Sequence, residues 1–241
     1  MTTETTPGGW TVLDRETGVL TRSYDFRRNA QSSCFVARMG NGQLVVVSPP
    51  TGLDEAAYAE LSAFGDVGAI VANNGFHHLG QPAWRARFPN ARAFAPAAAI
   101  GRIKKQNPAA GELEPLEGLT SLLGSDVGIR EVPNTRMGES WVWARTRAGH
   151  AWYVSDVLAN MPTLPPKQPV RALFWATRSA PGYRPFNLAL LAICKDRRGA
   201  LGLLRDDLKA RPASAVVPAH GDLLLAGDVA GDTDRAVARG L

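Results

Sequence analysis

The chain is poor in the residues that most often advertise a chemistry. It has two cysteines, four histidines and five lysines among 241 residues. Cys34 and Cys194 form no C-x-x-C pair, and two thiols make no disulfide framework. Both fall in apolar patterns, so buried thiols are expected. The scarcity of lysine leaves 22 arginines against 22 acids, a net charge of +5. The densest basic clusters, Arg102–Lys105 and Lys195–Arg198, are short and fall on expected helices. No basic stripe interleaved with aromatics is present, so a nucleic-acid groove is not expected. No apolar run approaches the ~18 residues of a membrane span. Met1–Pro7 lacks the basic flank and apolar stretch of a signal peptide, so a reducing cytoplasm is the expected setting. Gly138–Val142 lacks the second glycine of a serine nucleophile elbow. There is no phosphate-binding loop, and Gly40–Gly42 lacks the third glycine of a dinucleotide loop.

What is present is an orderly alternation. Residues 1–9 read as a flexible lead-in, and 10–241 as a single domain. Strand-like pieces near Trp10–Leu13 and Leu20–Asp25 are followed by two strong β runs, Cys34–Met39 and Gln43–Ser48, joined by a Gly-Asn-Gly turn. Asp54 opens a helix running to Phe64 as its cap. Strand Val67–Asn73, helix Gln81–Phe88, strand Ala91–Ala95 and helix Ala97–Lys105 then suggest a parallel, covered sheet. Ile129–Pro133, Ser140–Thr146 and Ala151–Val157 form a β meander. The tail is helical over Arg171–Ser179, Asn187–Lys195, Ala200–Ala210 and Asp232–Arg239, with one strand at Ala213–Val217. Four prolines in Asn160–Pro169 mark an irregular excursion. This order fits an α/β protein in which two packed sheets carry helices on both outer faces.

Possible chemistry collects at strand ends. His77 and His78 follow the strand ending near Asn73. Asp156 closes the strand Ala151–Val157, and His220 follows Ala213–Val217. Three imidazoles and a carboxylate drawn from separate segments are a sensible ligand set for zinc or a similar ion. Taken singly, each has an ordinary alternative as a helix cap or turn former. His150 sits in the turn before the strand of Asp156 and is expected at the surface.

Taken together, these segments resemble the metallo-β-lactamase superfamily, from about Cys34 to Asp222. Its H-x-H-x-D-H motif falls on Asn73–His78, keeping only the last histidine as His78. Asn73 and Gly75 stand where the first two histidines belong, and His77 where the aspartate belongs. The family's middle histidine falls on Thr135. Its bridging aspartate matches Asp156, and its last histidine matches His220 in Pro-Ala-His-Gly. The resemblance implies a four-layer αββα sandwich and a divergent branch with a degenerate metal site. One metal site is lost, and the other survives as His77, His78, Asp156 and His220. At most one zinc or other divalent transition metal ion is therefore expected, and a two-metal mechanism is not.

On this basis Asp156 is the expected catalytic residue, and Asp222 an outer partner orienting His220. Asn73, Asn74, Arg136 and Tyr183 are expected to contact the substrate. Arg136 lies beside the lost third ligand, where it is expected to hold an anionic group. Tyr183 belongs to the segment 160–186, expected to cover the cleft. Two functions follow. One is a metal-dependent hydrolase attacking an ester-like or lactone-like bond. The other is a metal-free descendant that binds a ligand or partner. Either takes a small molecule, with association into homo-oligomers left open.

Overall fold

The computed structural model describes residues 3–27 and 30–241. Eight strands form the first sheet in sequence order: β1 (Glu4–Thr5), β2 (Thr11–Asp14), β3 (Val19–Arg27), β4 (Ala30–Arg38), β5 (Leu44–Val47), β6 (Val67–Val71), β7 (Arg92–Ala95) and β8 (Glu114–Pro115). The strands are antiparallel up to β5 and parallel from there on. The change follows from the connections. A tight turn joins β4 to β5, whereas helices α1 (Glu55–Ala59), α2 (Gln81–Arg87) and α3 (Ala97–Gln106) carry the later crossovers. The second sheet has the order β14-β11-β10-β9, built from β9 (Val127–Glu131), β10 (Ser140–Thr146), β11 (Gly149–Ser155) and β14 (Ala213–Pro218). A ribbon of β12 (Leu158–Met161) and β13 (Gly182–Pro185) stands apart. Helix α4 (Glu117–Leu123) precedes β9, while α5 (Val170–Ala176), α6 (Asn187–Ile193), α7 (Arg197–Ala210) and α8 (Val229–Ala238) belong to the second half.

Strand alternation sorts the apolar side chains into layers. Val45 and Val47 of β5 face Ala151 and Tyr153 of β11 and Val217 of β14 in the core between the sheets. Their neighbours Leu44 and Val46 point outward, beneath Tyr58, Leu61 and Trp84. On the second sheet Trp152 and Val154 point outward instead, beneath Leu190, Leu201, Leu204 and Val237. Ala99 and Ile103 of α3 cover Ala93 and Ala95 of β7. Helices therefore clothe both outer faces, and the fold is the four-layer αββα sandwich. No helix among the described residues is long and apolar enough to cross a membrane.

Several expectations need correction. Residues 4–9 are not a loose lead-in: β1 pairs with β2, and the Gly8 amide donates to Glu60 at 2.7 Å. Met1 and Thr2 lie outside the described residues. The expected helix from Asp54 to Phe64 is α1 followed by a 3-10 turn at Glu60–Ala63, with Asp54 accepting from the Ala57 amide. The excursion after Asn160 includes a paired strand end, because β12 runs to Met161 and pairs with β13.

Asp14 ties the two sheets together. One carboxylate oxygen accepts from the amides of Glu16 and Thr17, and the other from the Arg147 amide at 2.8 Å in the β10–β11 turn. Burial pushes the Asp14 carboxyl up, but these amides and the Arg147 guanidinium outweigh it and hold it below the usual aspartate range. Its stabilisation is therefore complete above the unfolded carboxyl's pKa and is lost as pH falls through the depressed folded value. Asp14→Ala should cost about 2–3 kcal/mol at neutral pH in urea unfolding. The difference from the wild type should shrink in acid, and a constant difference would reject the assignment.

Candidate metal centre

The ends of β5, β6, β11 and β14 meet at one edge of the sandwich. Ser48, directly after β5, and Ser155, the last residue of β11, both hold left-handed backbone, with φ of 56° and 53°. Such residues cost about 1–3 kcal/mol each and persist where the surroundings enforce them. Here each aims a hydroxyl at the chemistry. Ser48 Oγ lies 2.7 Å from His77 Nδ1 and 3.1 Å from Tyr24 Oη. Ser155 Oγ donates to Glu139 Oε1 at 2.6 Å.

Asp156 is the centre of the cluster. His77 Nε2 is 3.1 Å from Asp156 Oδ2, and His220 Nε2 is 3.2 Å from Oδ1. One donor atom from each of the three residues fits within a group no more than 4.8 Å across. Ligand atoms at ~2.1 Å around a tetrahedral ion stand about 3.4 Å apart, so the spacing suits a divalent metal. The donor chemistry also fits. His220 Nδ1 is 2.8 Å from the Gln31 carbonyl, so Nδ1 carries the proton and Nε2 is the free donor. Buried Asp156 Oδ1 faces His220 Nε2 without a well-aligned hydrogen bond among the described residues, so it too is placed to serve an ion. The Ser48 hydroxyl either donates to or accepts from His77 Nδ1, and so serves both tautomers of that ring.

Burial opposes ionisation of Asp156, but His77 and His220 overcome it and hold the carboxyl well below the aspartate range. Burial likewise pulls the His220 imidazole down, and the Asp156 carboxylate, helped by the Gln31 carbonyl, holds it above the histidine range. Beneath them lies a second, fully buried carboxyl. Glu139 accepts from Ser155 Oγ, the Ser140 amide at 2.9 Å and Asn74 Nδ2 at 3.2 Å. Burial, then the nearby Asp156 charge, push its carboxyl well above the glutamate range.

His77 belongs to the donor group, whereas His78 does not. Adjacent turn residues point different ways, and Asn74 fixes which way: its Oδ1 accepts from the amides of Phe76 and His77. The His78 ring lines the cleft, but its buried Nδ1 has no partner, and burial pulls its pKa down. Asn73 and Asn74 are fully buried under the cluster, not offered to a substrate. Asn73 donates to Ser155 Oγ, and Asn74 donates to Asp156 Oδ2 at 2.9 Å. Arg136 turns away and caps α6, donating to the carbonyls of Leu191 and Cys194. Tyr183 is packed against the second-sheet core, its hydroxyl on Thr233 at 3.2 Å. Asp222 does not orient His220, because the Gln31 carbonyl does so. The Asp222 backbone instead exchanges hydrogen bonds with Asn160. Gly221 follows His220 at φ +96°, and a Cβ there would lie 2.0 Å from the Asn160 carbonyl oxygen, which explains the glycine after the histidine.

The cluster opens into a cleft of about 750 Å³ lined by Phe26, Phe76, Arg102, Phe186 and Ala189 among others. From the segment expected to cover it, Phe186 reaches the cleft and Trp175 is 70% exposed. Ser48, Gln31, Glu139, Ser155 and Arg102 carried no motif. The one hint was a serine ending each of two apolar strands.

Fold and site together define an αββα protein with a three-donor centre at the sheet edge. Solved structures share that fold. The DIM-1 metallo-β-lactamase exposed to ceftazidime superposes with a TM-score of 0.56 at 11% identity, over 93% of this chain and 94% of its own. A putative diflavin flavoprotein A 5 fragment from Nostoc sp. PCC 7120 gives 0.56 at 12% identity, over 99% and 94%. TMB-1 gives 0.51 at 12% identity, over 99% and 97%. The chain therefore has the metallo-β-lactamase fold. No protein-family model matches it, and no curated protein matches it in sequence.

Proposed function

We propose that this chain is a metal-dependent hydrolase that uses one divalent ion, zinc or a similar transition metal, held by His77, Asp156 and His220. The observation that carries the reading is the convergence of two imidazole nitrogens and a carboxylate at the floor of an open cleft. When bound, such an ion supplies Lewis acidity, polarising a carbonyl and making water acidic enough to react near neutral pH. The chain's own part is orientation. Gln31 fixes the His220 ring, Ser48 fixes His77, and Asn74 fixes Asp156. Tyr24 Oη, 3.1 Å from Ser48 Oγ, holds that serine in place. The apolar walls keep bulk water from a bound ester-like or lactone-like group. A cytoplasmic setting suits Cys34 and Cys194, which stay free and buried.

A second reading has its own support. Asp156 already pairs with His77 and Asn74, so the polar cluster is largely satisfied without an ion. A metal-free ligand-binding protein would retain these contacts. Elemental analysis of protein prepared without chelators separates the two. The hydrolase should carry about one equivalent of metal, as expected of a mononuclear N/O site. His77→Ala with His220→Ala should abolish it, whereas His78→Ala should retain it. Stoichiometric metal surviving the double substitution would remove this site, and metal-free wild type would favour the binding protein.

A further inference from the structure

Arg102 is the unassigned charge in the cleft. It sits on α3, and its Nε donates to the Gly75 carbonyl at 3.1 Å. Its guanidinium carbon stands 4.8 Å from the centre of the Phe76 ring. Among the described residues the ion pairs of the cleft are those of Asp156 with His77 and His220, and none involves Arg102. The guanidinium is therefore held, among the described residues, by one nitrogen and one ring face, with no hydrogen bond to either terminal nitrogen. This is a preorganised receptor for a planar anion. Gly75 makes the arrangement possible: a Cβ there would stand 2.7 Å from Arg102 Cδ and 3.0 Å from the Met137 carbonyl oxygen. Gly75, one of the two positions that lack a histidine relative to the resembled motif, is thus the position over which this arm is laid.

The rest of the lining has the opposite character. Phe26 and Phe186 pack on the His220 ring, with centroids 5.9 and 5.6 Å away. Leu188, Ala189 and Ala192 continue that apolar wall. Asp156, already paired with imidazoles, is the only acidic residue lining the cleft among the described residues.

We propose that the cleft selects amphiphilic carboxylates, with an apolar, preferably aromatic, body against Phe26 and Phe186 and a carboxylate on Arg102. Resting on the hydrolase reading, this makes the substrate an ester or lactone that also carries a free carboxylate.

The test is binding of phenylbutyrate and its uncharged counterpart phenylbutyramide to the full chain, followed by calorimetry. Metal is first removed by chelation, so that the carboxylate cannot ligate an ion. The acid should bind about tenfold or more tighter than the amide, the usual gain of a charge-assisted bond. Arg102→Gln should erase that preference by weakening acid binding about tenfold or more, and Arg102→Lys should restore part of it. Phe186→Ala should weaken both probes. Circular dichroism of each variant separates loss of the receptor from loss of the fold. Equal affinity for acid and amide, a preference that survives Arg102→Gln, or no saturable binding of either probe overturns the proposal. The hydrolase reading is judged separately, by metal content and ester turnover. An active metalloenzyme indifferent to charge sinks this inference alone, and acid selectivity in a protein that takes no metal sinks only the other.

Discussion

Asp156→Ala is expected to lower zinc affinity by about a thousandfold or more, since loss of a mere outer-sphere partner already costs 10–100-fold. Asp156 contacts both imidazoles of the cluster, through a different oxygen to each. Without it, His77 and His220 remain as two neutral donors, and the negative charge opposing a dication is gone. The variant should still fold. Asn74 Nδ2 keeps Glu139 Oε2 as an acceptor, His77 keeps Ser48 and His220 keeps the Gln31 carbonyl. Asp156→Asn supplies the isosteric control: it restores volume and one acceptor oxygen but no charge, and should fall between alanine and the wild type. A competition titration against a chromophoric chelator reads all three. Zinc affinity in Asp156→Ala within about tenfold of the wild type, less than the loss of a true ligand allows, would place the ion elsewhere.

The layers of this fold were readable because burial on both faces writes itself as continuous apolar runs such as Val45–Val47 and Val67–Val71. Helix starts were readable where a side chain caps them locally, as Asp54 does. The strand-end positions of Asp156 and His220 were equally open, since each stands at or just past the end of a β run. What local pattern could not settle was direction. Whether His77 or His78 turns inward depends on Asn74 and on Ser48, which lies 29 residues away. Which arginine serves the cleft depends on contacts that span the chain. Arg136 meets the end of α6, whose carbonyls lie 55 and 58 residues on, whereas Arg102 crosses Gly75 because no side chain stands there. Asn73 and Asn74 had the composition of a polar binding loop. Their burial follows from Ser140, Ser155 and Glu139, which arrive from the other sheet. The ribbon of β12 and β13 went unseen because the prolines between its strands read as a break.

Glu139 offers the sharpest check on that buried network. Alanine there would strand the Ser140 amide, the Ser155 hydroxyl and part of the Asn74 amide away from water, and should cost about 3–5 kcal/mol in urea unfolding. Glutamine keeps an acceptor for the first two but faces Asn74 with a donor, so Glu139→Gln should cost about 1–2 kcal/mol near the acid limb. The pH dependence distinguishes a protonated Glu139 from an ionised one. Burial holds its folded pKa well above the glutamate range. As pH rises past about 4, the unfolded chain releases this proton and the folded chain keeps it, so the wild type loses stability from this group. Glutamine has no such proton. The deficit of Glu139→Gln relative to the wild type should therefore close, and then reverse, as pH is raised from about 4 toward 8. A deficit that widens over the same range would mean a buried carboxylate stabilised by its three donors. The negative charge beneath the metal centre would then be two, not one. In either case Glu139→Ala should also weaken metal binding about 10–100-fold, because Asn74 loses one of the two carboxyls that orient its amide toward Asp156.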